Sequence, residues 1–506
     1  MQATGVRGAV LAVALGVGIG GACHPPRSTA QPTNTVSAAG AASSFDNQRV
    51  TEAPPTAAGR ELAAPDAGAV TSAGAASRPV ARAALPDGVT RRSADQVPAL
   101  ALRTAVTANN EFATALLGAL RNESSGKNFF ISPISASLAL AMTYAGAREQ
   151  TRAGMARALN FGGQSEESLF NGQNALSQAL AERAKLAFEM AQAASQSGQT
   201  PPNASDYSLE LVNSLWGQAG FRWAPPFLKT LAENFGAGLF ERDFRRQSEA
   251  ARLEINHWVS AQTNDKINDL LPEPAVTATT FLVLVNALHL KLPWAEEFSK
   301  AATAPAVFTP SAHPPLMVPF MHRQASYAYR DDGSAQIVGL PLSSRQLWLL
   351  IALPHAGVSL ASYEGSLRAG SAALVVPPTG ALVNLALPKV TFTSPSVSLR
   401  DALRRLGMTD AFDPSRARFE GMCQATSPGA CPLFVNDVVQ KTMISIQETG
   451  VEAAAATAVI MQMESMRLRP KPPPIAMDVN RPYLVALVDQ PTGALLMLGH
   501  FEQPNE

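Results

Sequence analysis

Three cysteines in 506 residues are too few for a disulfide-built scaffold. Charge is also scarce: Asp, Glu, Lys and Arg make up 16% of the chain, and 40 basic residues balance 40 acidic ones. A chain of zero formal charge has no field to draw it toward nucleic acid or an anionic membrane surface. The histidines (His24, His257, His289, His313, His322, His355 and His500) are scattered. None lies in H-E-x-x-H, no G-x-S-x-G occurs, and no Cys/His cluster offers a metal site. The expectation is therefore no enzyme, no cofactor and no metal. Gly16, Gly18 and Gly21 fit G-x-G-x-x-G, but they lie in an apolar N-terminal run with no strand before them and no helix after, so dinucleotide binding is not indicated.

That N-terminal run reads as an export signal. Arg7 supplies a positive charge, and residues 8–22 are uncharged and mostly apolar. The stretch is shorter than the ~20 residues a membrane-spanning helix needs. Gly20, Gly21 and Ala22 before Cys23 resemble a bacterial lipoprotein cleavage site, which implies removal of residues 1–22 and lipid attachment at Cys23. Gly20 stands where that pattern has Leu, and ordinary signal-peptide cleavage is the alternative. Residues 23–97 are rich in Ala, Pro, Ser, Thr and Gly and poor in aromatics, so they bury too little apolar surface to offset the entropy of ordering. They read as a disordered tether, holding an exported domain off the membrane its lipid anchors it to; the locations expected are outer membrane, periplasm or exterior. Outside the reducing cytosol, Cys423 and Cys431, separated by QATSPGA, are expected to pair, with two free thiols as the alternative.

The folded region is expected over 98–506. Leu102, Val106, Asn109, Phe112, Leu116 and Leu120 recur at helical spacing. Phe129, Phe130 and Ile131 predict a short buried strand, and Ser132 before Pro133 a capped helix start, with that helix ending at Gly146. Thr151 is expected to cap the next helix, and residues 192–206 to form a surface insertion. Strands are expected at 209–216, 281–290, 346–353, 382–387, 433–439, 443–446, 483–488 and 494–498. Without strict alternation of strand and helix, the fold class is α+β.

The most informative stretch is residues 448–474, ETGVEAAAATAVIMQMESMRLRPKPPP. By propensity alone, 451–463 is a helix. Against this, the segment has no apolar stripe backed by a charged face, and it runs into a basic, Pro-rich stretch that must be extended. Small residues also suit a segment with two states, an exposed loop and a strand entering a sheet. As a strand it would turn Val451, Ala453, Ala455, Thr457 and Val459 one way, and Glu452, Ala454, Ala456 and Ala458 the other. Gly450 would then be a hinge.

The run from Glu448 through Gly450, Val451, Glu452, Ala453, Ala454, Ala455 and Ala456 to Thr457 resembles the hinge of an inhibitory serpin, with Val451 in place of the usual Thr. Other segments agree. Residues 128–147 are similar to the serpin N-x-x-x-S-P-x-S followed by a helix, and VNALHLKLPW at 285–294, with Phe298, to N-A-x-x-F-K-G-x-W. Residues 383–390, the NRPY of 480–483 and Gly499 also fall where the family has related residues. The resemblance implies a serpin-like fold: a large central β-sheet, further smaller sheets, surrounding helices and an exposed reactive-centre loop over 447–474. It implies a monomer that traps a serine or cysteine protease as a covalent 1:1 complex, after cleavage at Glu464–Ser465, with Met463 as the alternative bait residue. A sheet-opening cluster is implied at Ser132, Ser135, Asn286 and Gln440, with Trp294 at the top of the sheet. Gln440 replaces the family's His, so pH-dependent opening is not expected of it. The alternative is a serpin-fold protein that binds or stores without inhibiting.

Overall fold

The computed structural model describes residues 89–121, 126–195, 201–236, 239–424, 431–451 and 473–504. In chain order the described elements begin with α1 (Ala99–Leu120), β1 (Phe129–Ile131), α2 (Pro133–Tyr144), α3 (Glu149–Ala158) and α4 (Glu166–Ala194). There follow β2 (Ser208–Gln218), α5 (Pro225–Phe235), β3 (Leu239–Arg242), α6 (Phe244–Gln262) and β4 (Leu282–Pro293). Next are β5 (Thr303–Phe308), β6 (Leu316–Asp331), β7 (Ala335–Pro341), β8 (Leu347–Pro354) and α7 (Leu360–Ser366). The last are β9 (Gly380–Pro388), β10 (Val390–Thr393), β11 (Val397–Ser398), α8 (Arg400–Arg405), β12 (Val438–Ile446), β13 (Gly450–Val451), β14 (Ile475–Asp478), β15 (Tyr483–Asp489) and β16 (Ala494–Phe501).

These strands form two sheets. One has seven strands, ordered β10-β12-β13-β4-β2-β3 with β11 on β12. The other has nine, ordered β1-β16-β15-β8-β7-β6-β9-β14 with β5 on β6. The α+β expectation holds: strands and helices are interspersed, and antiparallel pairs dominate.

The helix α2 lies between the sheets, packing on β2, β4 and β16. Each of its twelve residues is buried, which explains why its sequence is apolar all round. Its start is as read: the Ser132 hydroxyl accepts from Ser135 N–H and Pro133 occupies the first turn. On the opposite face of the seven-stranded sheet, α6 packs Phe244, Ile255 and Val259 against Trp216, Val283, Val285 and Val439. Covered on both faces, β4 is buried along nearly its whole length, the reason for its unbroken apolar run.

Four expectations are corrected. Thr151 caps no helix: α3 starts two residues earlier at Glu149, and the buried Thr151 hydroxyl accepts from Arg418 N–H at 2.9 Å instead. The strands expected at 433–439 and 443–446 are one strand, β12, beginning at Val438. The residues between the two expected strands continue it, with Gln440 and Thr442 buried and hydrogen-bonded. Residues 192–194 belong to the end of α4 rather than to an insertion, and 204–206 form a 3₁₀ turn. Finally, residues 89–97, assigned to the tether by composition, are fastened to the domain. Arg91 Nε donates to Asn174 Oδ1 (2.9 Å), Arg92 N–H to Glu233 O (2.8 Å), and the Arg92 carbonyl accepts from Asn174 Nδ2.

Candidate functional site

Most neighbours in the seven-stranded sheet are antiparallel, but β4 and β12 run parallel, paired from Leu284↔Val438 to Leu288↔Thr442. The two strands come from distant parts of the chain. Beyond Thr442 they diverge, and the short strand β13 fills the gap, antiparallel to both: Val451 faces Leu292 on one side and Ile446 on the other. The chain thus turns back at residues 447–449 and begins a strand inside the seam.

The fit at that entrance is close. A Cβ on Gly450 would lie 2.4 Å from Leu292 O and 2.6 Å from Pro293 Cα. The glycine allows the close approach of two backbones here. Val451 beside it is buried, its side chain in the core shared with Leu288, Leu290 and Leu292.

Trp294 holds the turn. Its N–H donates to Thr449 O (3.0 Å) and its indole Nε1 to Gln447 O (2.8 Å). Between these lies Glu448, whose carbonyl accepts from Phe298 N–H and whose carboxylate accepts from Lys389 Nζ (2.8 Å) and Thr303 Oγ1 (2.9 Å). Burial pushes the Glu448 carboxyl up, but the hydrogen bonds from Lys389 and Thr303 and one from its own backbone N–H outweigh it and hold the pKa below the usual range. Lys389 entered the sequence reading only as part of the 383–390 segment and Thr303 not at all; neither stands near Glu448 in the chain.

Deeper along the seam, Ser132, Ser135, Asn286 and Gln440 are brought together. Gln440 Oε1 accepts from Ser132 N–H (2.8 Å), while its Nε2 donates to Ser132 O and to Asn286 Oδ1 (both 2.9 Å). Ser132 Oγ contacts Ser135 Oγ (2.9 Å) and donates to Leu496 O (3.0 Å). All four residues are buried, and Asn286 and Gln440 are register partners across the seam. Trp294 stands apart from this cluster, at the entrance. Sequence reading also missed Ser394 and Thr442, which extend the network: Thr442 N–H donates to Ser394 Oγ and Thr442 Oγ1 to Phe130 O.

Residues 107–504 match the family model described as Serpin (serine protease inhibitor). The chain belongs to the serpin family. Human leukocyte elastase inhibitor is 31% identical over 408 residues, covering 79% of this chain and 99% of that protein. An uncharacterized serpin-like protein of Thermococcus kodakarensis is 32% identical over 383 residues, covering 75% of this chain and 81% of that protein. Among solved structures, the thermophilic serpin tengpin in its native state matches with a TM-score of 0.67 and 25% identity, over 82% of this chain and 96% of that one. Serpins are protease inhibitors rather than enzymes.

Cys423 and Cys431 form a disulfide, with Cα atoms 6.0 Å apart. The remaining residues singled out in the sequence, namely Cys23, the hinge residues Glu452, Ala453, Ala454, Ala455, Ala456 and Thr457, and the bait residues Met463, Glu464 and Ser465, lie outside the described residues.

Proposed function

We propose that this serpin inhibits serine, or cysteine, endopeptidases as a suicide substrate. The protease attacks the Glu464–Ser465 bond, and the freed segment enters the β4–β12 seam as a new strand before the acyl-enzyme is hydrolysed. The observation that carries this reading is β13. Gly450 and Val451 already occupy the top of the seam with a neighbour on each side.

Continuing the two registers downward defines where the next residues would go. Ala453 would stand between Leu290 and Ile444, Ala455 between Leu288 and Thr442, and Thr457 between Asn286 and Gln440. They would share the inward face with Val451, where small side chains enter without displacing core neighbours. Reaching Thr457 requires breaking the Gln440–Asn286 bond, which gives that cluster its role as the seam's lock. Each inserted residue adds ladder pairing on both sides, so the native arrangement is metastable and held by a kinetic barrier.

An acidic bait residue suits a protease with a basic specificity pocket, and Met463 would suit an elastase-like enzyme. The test is a panel of acid-specific and elastase-like proteases. Expected are an SDS-resistant 1:1 complex, a released peptide beginning at Ser465, and a large rise in melting temperature after loop cleavage. Cleavage with no complex and no rise in melting temperature would instead mark a non-inhibitory serpin. The export reading joins this proposal: residues 1–22 direct secretion and Cys23 carries the lipid. Radiolabelled palmitate incorporated into the wild-type chain and lost in Cys23→Ala would support it, and equal labelling of both would refute it.

A further inference from the structure

The seam can admit a strand only if its two sides separate by about 4.8 Å, the spacing of neighbouring strands. Whatever else connects the sides must break or travel. One side consists of β4, β2 and β3, the other of β12 with β10 and β11. Besides the ladder and the Gln440 cluster, a second set of bonds joins chain from the two sides. Residues 222–224, which follow β2, form an antiparallel bridge with residues 422–424, which precede β12. Gln424 N–H donates to Arg222 O (2.9 Å), Ala224 N–H to Met422 O (2.8 Å), and Gln424 Nε2 to Trp223 O (2.9 Å).

Trp223 is keyed to the first side. Its ring lies so close to Gly217 of β2 that a Cβ there would be 2.2 Å from Cζ2, and its Nε1 donates to Glu241 of β3. Cys423, at the centre of the bridge, is bonded to Cys431. Cys431 leads into β12 through the buried Leu433 and Val435, and Val435 N–H is fixed on Ala411 O. With the disulfide intact, Cys423 cannot follow Trp223 away from Cys431, so the bridge must break when the seam parts. With the disulfide reduced, Met422 stays buried in the core against Gly146, but Cys423 and Gln424 lose their covalent tie to Cys431 and can follow Trp223, keeping the two Gln424 bonds.

We propose that the Cys423–Cys431 disulfide is a redox-controlled latch on strand insertion, slowing it when oxidised and releasing it when reduced. The inference rests on the insertion reading above. Release is thiol–disulfide exchange with a dithiol reductant: two electrons and two protons pass to the chain, leaving two cysteine thiols, and the reductant departs as its own disulfide. Both cysteines are buried, so exchange requires local opening.

The test measures how fast the cleaved loop becomes resistant to a second protease, at a temperature below unfolding. Five samples are compared: the oxidised full chain, the chain reduced with dithiothreitol, the Cys423→Ser, Cys431→Ser double variant, and Gln424→Ala with and without the disulfide. Reduced protein and the double variant are expected to insert about three- to tenfold faster, the effect of one or two hydrogen bonds absent from the barrier. Gln424→Ala should accelerate the oxidised chain and add nothing once the disulfide is gone. Losing a cross-link weakens any fold, but general weakening would make the two changes additive. Equal rates with and without the disulfide, or an additive Gln424→Ala effect, overturn the latch while leaving insertion intact. If the oxidised wild-type chain never becomes resistant, the insertion reading itself falls, and the latch with it.

Discussion

Gln440 and Asn286 face each other across the parallel seam, and the amide of one donates to the amide oxygen of the other at 2.9 Å. The same Gln440 side chain closes a two-bond ring with the backbone of Ser132, the residue that caps α2. One neutral side chain therefore ties β12 both to β4 and to the buried helix beneath it.

Replacing Gln440 with Leu leaves Ser132 N–H and the Asn286 amide oxygen buried without these partners, at a cost of about 1–3 kcal/mol each. The variant should unfold at lower urea and insert its loop spontaneously at a faster rate. Gln440→His should behave differently. A neutral imidazole can accept from Ser132 N–H and still donate, whereas imidazolium has no acceptor. Spontaneous loss of inhibitory activity should accelerate as pH falls through ~6.5 in the His variant and stay flat there in the wild type. Parallel pH profiles would show that this side chain does not govern opening.

Gly450 has no room for a methyl group between Leu292 and Pro293. Gly450→Ala should force β13 out of the seam and expose Val451, while the rest of both sheets still folds. The cleaved loop would start insertion later, so more inhibitor would be consumed as plain substrate per protease trapped. Titration of a target protease should show a raised stoichiometry of inhibition, with complex formation several-fold slower. Adding Val451→Gly should not rescue this variant, because it removes core burial without relieving the clash at position 450.

Much of this site was readable from local chemistry. Ser132–Pro133 announces a capped helix, and the apolar length of β4 announces a strand covered on both faces. What stayed hidden depends on chain segments that meet only in three dimensions. Glu448 gives no hint of Lys389 or Thr303, and Thr151 looks like a cap until Arg418 arrives beside it. The continuity of β12 through Gln440 and Thr442 does not show in the sequence, because polarity does not reveal that each buried side chain has a partner. The close packing of Gly450 on Leu292 and Pro293 was hidden too, because a hinge and a close backbone approach select the same residue.

The Glu448 carboxylate makes the entrance acid-sensitive. Its folded pKa lies below the usual 4.5, so the protein binds fewer protons there than the unfolded chain does. The stabilisation is fully present above about pH 4.5 and is lost as pH falls through the depressed folded value. Glu448→Gln should lower the melting temperature at pH 7, and the gap from wild type should narrow as the pH is brought down toward 3. A constant gap would mean that the Lys389 pair adds nothing through charge.

His500 gives the opposite slope at a different place. It is buried between Glu364, whose Oε1 lies 2.6 Å from Nδ1, and the Lys127 carbonyl, 3.0 Å from Nε2, with Glu502 also nearby. Burial lowers the imidazole pKa, but the Glu364 hydrogen bond and charge, the Glu502 charge and the Lys127 carbonyl together raise it above the usual 6.5. Here the folded state holds the proton more tightly than the unfolded chain. The contribution is complete below about pH 6.5 and disappears as pH rises through the raised folded value. His500→Gln retains a donor and an acceptor but cannot carry the charge. It should therefore melt below the wild type at pH 6, with the two curves converging as the pH approaches 9. Because α7 carries Glu364 and β16 carries His500, this loss should loosen the nine-stranded sheet and leave the β4–β12 seam alone. Hydrogen exchange should then quicken along β16 and β1 in alkali, with β12 unchanged; faster exchange in β12 as well would mean that the two sheets do not respond independently.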